Sequence, residues 1–296
     1  MLLRFSRKLF VSIAFLTCIF SVVKSQKLSA KPAGYLEKKQ ISKVLTREIS
    51  YRVILPDIYQ KFPKKKFPVM YLLHGRFGHF NDWTDFTDIE DYARGFDFVV
   101  IMPEGGAQSW YTNSVKNPQD KYETYFFDEL MPEVQKNFRV INAPEGNVIA
   151  GLSMGGFGAF KYAMKRPFAF LLAGSFSGAL DGNQRLKGNP MWSQSIDDAF
   201  GAPDSEERKS NDLFSMLQQM PAEKGAPFLY FVCGTEDSQI TSNEKFAVIA
   251  ASLHVPHEYR QRPGKHDWKF WDAAIKEFLP IAAARVKSAN IKASSK

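Results

Sequence analysis

The chain has 296 residues, 45% of them hydrophobic and 24% charged, with a net charge of +8, a balance that excludes a disordered or low-complexity polypeptide. The basic residues are not interleaved with aromatic ones, so the charge builds no nucleic-acid face and implies at most a mild preference for anionic surfaces. Two cysteines, Cys18 and Cys233, cannot form a disulfide framework, so stability must come from a hydrophobic core.

Arg4, Arg7 and Lys8 precede an apolar stretch from Leu9 to Val23, and Val23-Lys24-Ser25 closes it with a small residue. This is the layout of a secretory signal peptide, and the apolar run is short for a membrane span. Cleavage is expected near Ser25, giving a secreted or periplasmic protein; an uncleaved N-terminal anchor is the alternative. Residues 1–25 hold four cations and no acid, so their removal lowers the charge from +8 to +4 and leaves Cys233 as the one cysteine. Residues 26–296 are long enough for one large domain, with no integral membrane segment.

Residues 26–40 are polar and lack periodicity, which reads as a leader. Strand-like runs follow at Ile49–Leu55, Pro68–Leu73, Phe96–Met102, Asn147–Leu152, Leu171–Phe176, Phe228–Cys233 and His257–Gln261. Several ("VMYLL", "FVVIM", "FLYFV") are almost continuously apolar, the pattern of strands buried on both faces of a parallel sheet. Helical spacing occupies Thr124–Asn137, Met154–Lys165, Asn243–Leu253 and Trp268–Ala284. The alternation predicts an α/β fold with a mainly parallel central sheet and helices on both faces. It breaks between about 180 and 225, where turn signals and a short capped helix over Ser210–Gln219 predict an excursion from the sheet. Excursions at a sheet's carboxyl edge often cover a site.

Gly151-Leu152-Ser153-Met154-Gly155 fits G-x-S-x-G between a strand ("NVIAG") and a helix ("GFGAFKYAMK"). The spacing has a physical reason. Small neighbours permit a sharp strand-to-helix turn that lifts the serine hydroxyl, and the next residue opens a helix whose N–H can meet a developing oxyanion. Ser153 is the candidate nucleophile. It requires a base, itself oriented by an acid, expected in the order Ser, Asp or Glu, His. Of His254, His257 and His266, only His266 sits in a loop ("PGKHDW") between a strand and the last helix, so it is the candidate base. Asp237 follows the strand "FLYFVCG" in "TEDS"; its shorter arm favours it over Glu236, and its other role would be a helix N-cap. Asp204 and Asp212 qualify by order alone. His74 precedes the serine and reads as structural, but the loop it opens ("HGRFGHF") offers a second oxyanion donor at the N–H of Arg76, beside that of Met154.

"LLHGRFGHFNDW", "PEGGAQSWYTN", "GLSMGGFGAF", "CGTEDS" and "PGKHDWKFW" resemble, in order and spacing, the esterase D-like branch of the α/β-hydrolases. That branch holds feruloyl and acetyl-xylan esterases, tributyrin-type esterases, S-formylglutathione hydrolases and mycolyltransferases. The resemblance spans roughly residues 40–285 and implies the same Ser153, Asp237, His266, Met154 and Arg76 in the same roles. S-formylglutathione hydrolase is a poor fit, since it resembles a cytosolic detoxification enzyme and this chain carries an export pattern.

The expected activity is a secreted serine carboxylesterase acting on short-chain acyl or feruloyl- and acetyl-carbohydrate esters, with no metal or cofactor. Its partner is a small-molecule or carbohydrate ester. Acyl transfer to a sugar hydroxyl and an inactive binding module are the alternatives. Trp110 and Tyr111 are candidate substrate-wall residues, with core packing as the competing role, while Trp268 and Trp271 are expected to pack the last helix. Cys233, in an apolar strand, reads as an inert thiol.

Overall fold

Val69, Tyr71 and Leu73 face one side of the central sheet and Met70 and Leu72 the other, and all five are buried. That is why the run is apolar at every position. The computed structural model describes residues 34–184, 190–220 and 226–294; the expected signal peptide lies outside them. Residues from Gly34 onward form one compact unit.

The strands are β1 (Leu36–Ser42), β2 (Arg47–Ile54), β3 (Val69–Leu73), β4 (Val99–Pro103), β5 (Asn147–Leu152), β6 (Leu172–Phe176), β7 (Phe228–Gly234) and β8 (His257–Arg262). They lie in one sheet in the order β1-β2-β4-β3-β5-β6-β7-β8. β1 with β2 and β2 with β4 pair antiparallel, and all other neighbours pair parallel. The fold is the mainly parallel α/β architecture that the strand–helix alternation predicts.

Helices cover both faces. Phe157, Phe160 and Tyr162 of the helix Met154–Lys165 pack on the face of Tyr71, Ile149 and Phe231. Ile275, Phe278 and Leu279 of the final helix, Trp268–Ser294, pack on the face of Met70, Ala150 and Tyr230. Each such side chain stabilises the fold by roughly 1.5–3 kcal/mol when fully buried.

Two elements depart from expectation. β1 falls in the stretch read as a leader: its Leu36, Glu37, Lys38 and Lys39 are exposed, so the backbone ladder to β2 and the Lys39–Glu48 ion pair (2.7 Å) mark it, not hydrophobic periodicity. The helix expected at Thr124–Asn137 widens into a π-type turn at Tyr125–Leu130, just ahead of Pro132, which lacks the N–H that an α-turn requires. The excursion after β6 leaves the sheet as expected: its described residues hold helices at Pro190–Phe200, Glu206–Lys209 and Leu213–Gln218, with Ser205 and Asp212 capping the last two. Among the described residues no helix is long and apolar enough to cross a membrane.

Candidate active site

β5 ends at Leu152 and the next helix starts at Met154, so Ser153 alone makes the turn, with φ +51° and ψ −115°. A side chain at positive φ is strained and persists only when its surroundings hold it. Here the Ser153 N–H donates to the Phe176 carbonyl (2.9 Å), while its own carbonyl accepts the N–H groups of Phe157 and Ala179 (both 3.1 Å). Glycines make the necessary room: a Cβ at Gly155 would stand 2.5 Å from the His74 carbonyl oxygen, and one at Gly151 would stand 2.5 Å from the Gly155 carbonyl.

Asp237 sits in the loop after β7 and His266 in the loop after β8. The Thr235 N–H to Arg262 carbonyl bond (2.9 Å) and the Glu236 N–H to Gly264 carbonyl bond (3.0 Å) tie these loops together. The three side chains form a line: Ser153 Oγ lies 2.9 Å from His266 Nε2, and His266 Nδ1 lies 3.0 Å from both Asp237 carboxylate oxygens. A carboxylate only accepts, so Nδ1 carries the proton and Nε2 is left to accept from the serine hydroxyl. Burial pushes the Asp237 carboxyl up. The His266 ring, the Ser177 hydroxyl and the Gln239 N–H (2.8 Å) outweigh it and leave the group below its ordinary value, hence ionised. Glu236, the rival acid, is exposed and faces Lys265 at 3.8 Å. Asp212 is a helix cap, and Asp204 is exposed.

The loop after β3 runs beside the serine. A Cβ at Gly75 would lie 3.7 Å from Ser153 Cβ, which brings Arg76 to the cleft. His74 is structural: its Nε2 accepts the Gly105 N–H (2.9 Å), so its Nδ1 donates to the Gly75 carbonyl (2.7 Å). Phe77, at φ +60°, donates its N–H to the Ala107 carbonyl (2.6 Å), and the Arg76 guanidinium bonds Gln108 Oε1 (2.7 Å). The Arg76 side chain is thereby turned to the neighbouring loop. Met154, as the first helical residue, has an N–H with no carbonyl one turn back to bond.

Ser153 opens into a cleft of about 650 Å³ walled by Arg76, Phe77, Phe86, Leu152, Trp268 and Trp271. Trp110 and Tyr111 are not in this wall. Positive φ values of +54° and +52° turn both rings into the core, where Trp110 meets Phe157 and Phe200 and the Tyr111 hydroxyl donates to the His74 carbonyl (3.0 Å). They brace the loops behind the site. Trp268 and Trp271, expected only to pack the last helix, do line the cleft, and the Trp271 ring meets His266 edge-on at 5.0 Å. The nearness of Trp268 to His266 in sequence was the available clue; Phe86 had none. The described part of the excursion also stays out of this wall. Ser195, Asp198 and Ala199 instead line a separate cavity of about 280 Å³ with residues 106–109.

On the nucleophile helix itself, the fully buried Lys161 ammonium bonds the Tyr111 carbonyl (2.6 Å) and Glu123 (2.9 Å). Burial lowers Lys161 to about 8. It also raises Glu123, but Lys161 and Lys165 overcome that and hold the carboxyl at about 2. His254 is exposed after a helix end, His257 bonds the Val255 carbonyl (2.8 Å), and Cys233 is buried with its thiol pushed up to about 12 by burial. None of the three lines the cleft. Among the described residues no group of three or more His, Cys, Asp or Glu is arranged to hold a metal ion.

The Esterase family model matches residues 42–281. Esterase MT1326 of Mycobacterium tuberculosis is 31% identical over 272 residues, covering 82% of this chain but 57% of its own length, so the chain spans little more than half of that relative. Among solved structures, the Staphylococcus aureus fluorophosphonate-binding serine hydrolase FphF superposes with a TM-score of 0.76 at 27% identity, covering 84% of this chain and 98% of its own. A ferulic acid esterase superposes with a TM-score of 0.73 at 25% identity, covering 85% and 98%.

Proposed function

The chain belongs to the Esterase family, and from that premise we propose that it is an exported serine carboxylesterase acting on short-chain acyl or feruloyl- and acetyl-carbohydrate esters. The observation that carries the reading is the unbroken line from Ser153 Oγ through the His266 ring to Asp237, with bonds of 2.9 and 3.0 Å. The pattern of residues 4–25 supports export.

Ser153 Oγ attacks the ester carbonyl carbon as its proton passes to His266 Nε2, and Asp237 stabilises the imidazolium that forms. The carbonyl π bond becomes an oxyanion, which the backbone N–H groups of Met154 and Arg76 receive. As the carbonyl re-forms, the C–O bond to the alcohol breaks and His266 gives its proton to the departing alkoxide. Water, deprotonated by the same nitrogen, then adds to the acyl-enzyme. Its collapse releases the acid and returns the proton to Ser153.

The test is covalent and direct. The folded wild type should take up a fluorophosphonate and hydrolyse p-nitrophenyl acetate, and Ser153→Ala should do neither. A folded wild type that does neither would overturn the assignment.

A further inference from the structure

The two oxyanion donors proposed above come from different elements. The Met154 N–H rides on the nucleophile helix, and the Arg76 N–H on the loop that begins after Leu73, the last residue of β3. Such donors act at about 2.7–3.1 Å from the forming oxyanion, so the loop has to keep its place against the helix.

One backbone atom marks where loop and helix meet. A Cβ at Gly155, on the helix, would stand 2.5 Å from the His74 carbonyl oxygen, and that same oxygen accepts the Tyr111 hydroxyl at 3.0 Å. Tyr111 thereby holds the loop two residues before Arg76.

Tyr111 in turn is seated on the helix. Gly155, Gly158 and Lys161 follow at three-residue steps, so each neighbours the next on the helix surface. A Cβ at Gly158 would lie 2.6 Å from the Tyr111 ring, and one at Gly105 would run into the same ring. The Lys161 ammonium bonds the Tyr111 carbonyl at 2.6 Å. A buried ammonium is costly to keep unless its bonds are made; its other bond goes to Glu123 (2.9 Å), and Lys161 takes no part in the cleft wall. The Tyr111 backbone sits at φ +52°, a strained value that persists only where the surroundings fix it. Lys161 fixes the carbonyl, and the Ser109 hydroxyl oxygen accepts the N–H (2.9 Å). A buried side chain pinned at hydroxyl, ring, carbonyl and N–H is a strut between helix and loop.

We propose that Tyr111 is a positioning residue for the oxyanion: it carries the place of the nucleophile helix to the loop bearing Arg76, so that the N–H groups of Met154 and Arg76 keep their separation as the oxyanion forms. Lys161 seats Tyr111 and acts through it. Neither side chain touches a reacting atom. The proposal rests on the esterase reading.

Its test starts from Tyr111→Phe, which keeps the ring and removes one hydroxyl. Displacing a donor costs less than deleting it, so kcat should fall about tenfold while KM stays within about twofold. A reversible trifluoromethyl ketone, whose hemiketal oxyanion with Ser153 occupies the same donors, should bind about tenfold more weakly. Tyr162→Phe is the control: on the same helix it deletes another buried phenol bond, to the Tyr122 carbonyl (3.3 Å). It should lower the melting temperature and leave kcat and ketone affinity as they are. Lys161→Met should reproduce the Tyr111→Phe kinetics, and the double variant should lose little more than either alone. A Tyr111→Phe enzyme with kcat and ketone affinity within twofold of wild type overturns the strut. So does an equal loss from Tyr162→Phe, or a fall in kcat with ketone affinity unchanged. A wild type that neither takes up fluorophosphonate nor hydrolyses esters would instead overturn the esterase assignment.

Discussion

Both carboxylate oxygens of Asp237 lie 3.0 Å from His266 Nδ1, so one ring proton has two acceptors and the imidazole cannot turn over without losing both. Asp237→Asn keeps the shape but offers an amide N–H to that nitrogen, favouring the tautomer that cannot accept from Ser153. The expected loss in kcat is about 10⁴-fold, with circular dichroism and melting temperature close to wild type. Turnover within tenfold of wild type would show that another group, with Glu236 first in line, orients the base.

Arg76 separates backbone from side chain. Its guanidinium is engaged with Gln108, while the proposed role belongs to its N–H. Arg76→Ala should keep kcat within about tenfold, whereas Arg76→Pro, which deletes the donor, should cost about 10²–10³-fold. Equal effects from the two, in variants that melt alike, would remove Arg76 from the oxyanion site.

Gly155 tests the close approach behind the nucleophile. An added methyl would meet the Leu73 and His74 carbonyl oxygens at 2.6 and 2.5 Å, and neither backbone atom can swing aside. Gly155→Ala should destabilise the fold by about 1–3 kcal/mol and lower kcat as well, because the loop bearing Arg76 is pushed from Ser153. Urea unfolding and turnover on one preparation check both.

Glu123 sets a pH dependence. Its carboxyl is held at about 2 against an ordinary value of 4.5, chiefly by Lys161 and Lys165 against the opposing pull of burial. A depressed folded-state pKa contributes stability that is fully present above 4.5 and is lost as the pH falls toward 2. The wild-type melting temperature should therefore fall between about pH 5 and pH 3. Glu123→Gln, which leaves Lys161 buried without its carboxylate, should melt lower at neutral pH and lose less on acidification. Parallel acid limbs in the two proteins would refute this.

The sequence discloses the line of Ser153, Asp237 and His266 because each obeys a local rule: a serine between glycines at a strand-to-helix turn, and an acid and a base in loops at strand ends. β3 and β4 are legible for a similar reason, since burial on both faces writes an apolar residue at every position. The cleft wall follows no local rule. Trp268 gains its place by stacking on Phe86, far away in the chain, and Trp110 and Tyr111 lose theirs because positive φ values turn the rings inward. β1 was hidden because an exposed edge strand is held by backbone bonds and carries a polar, lysine-rich surface.

The pairing of β3 with β5 sets Leu73 opposite Gly151, so the loop bearing Arg76 and the turn bearing Ser153 and Met154 leave the sheet from a single rung. Insertion of one residue in either strand would break that rung, whereas lengthening the excursion between β6 and β7 leaves it alone. The nucleophile and the loop beside it are thus tethered to one rung of the sheet, and the length of the distant loops has no bearing on their separation.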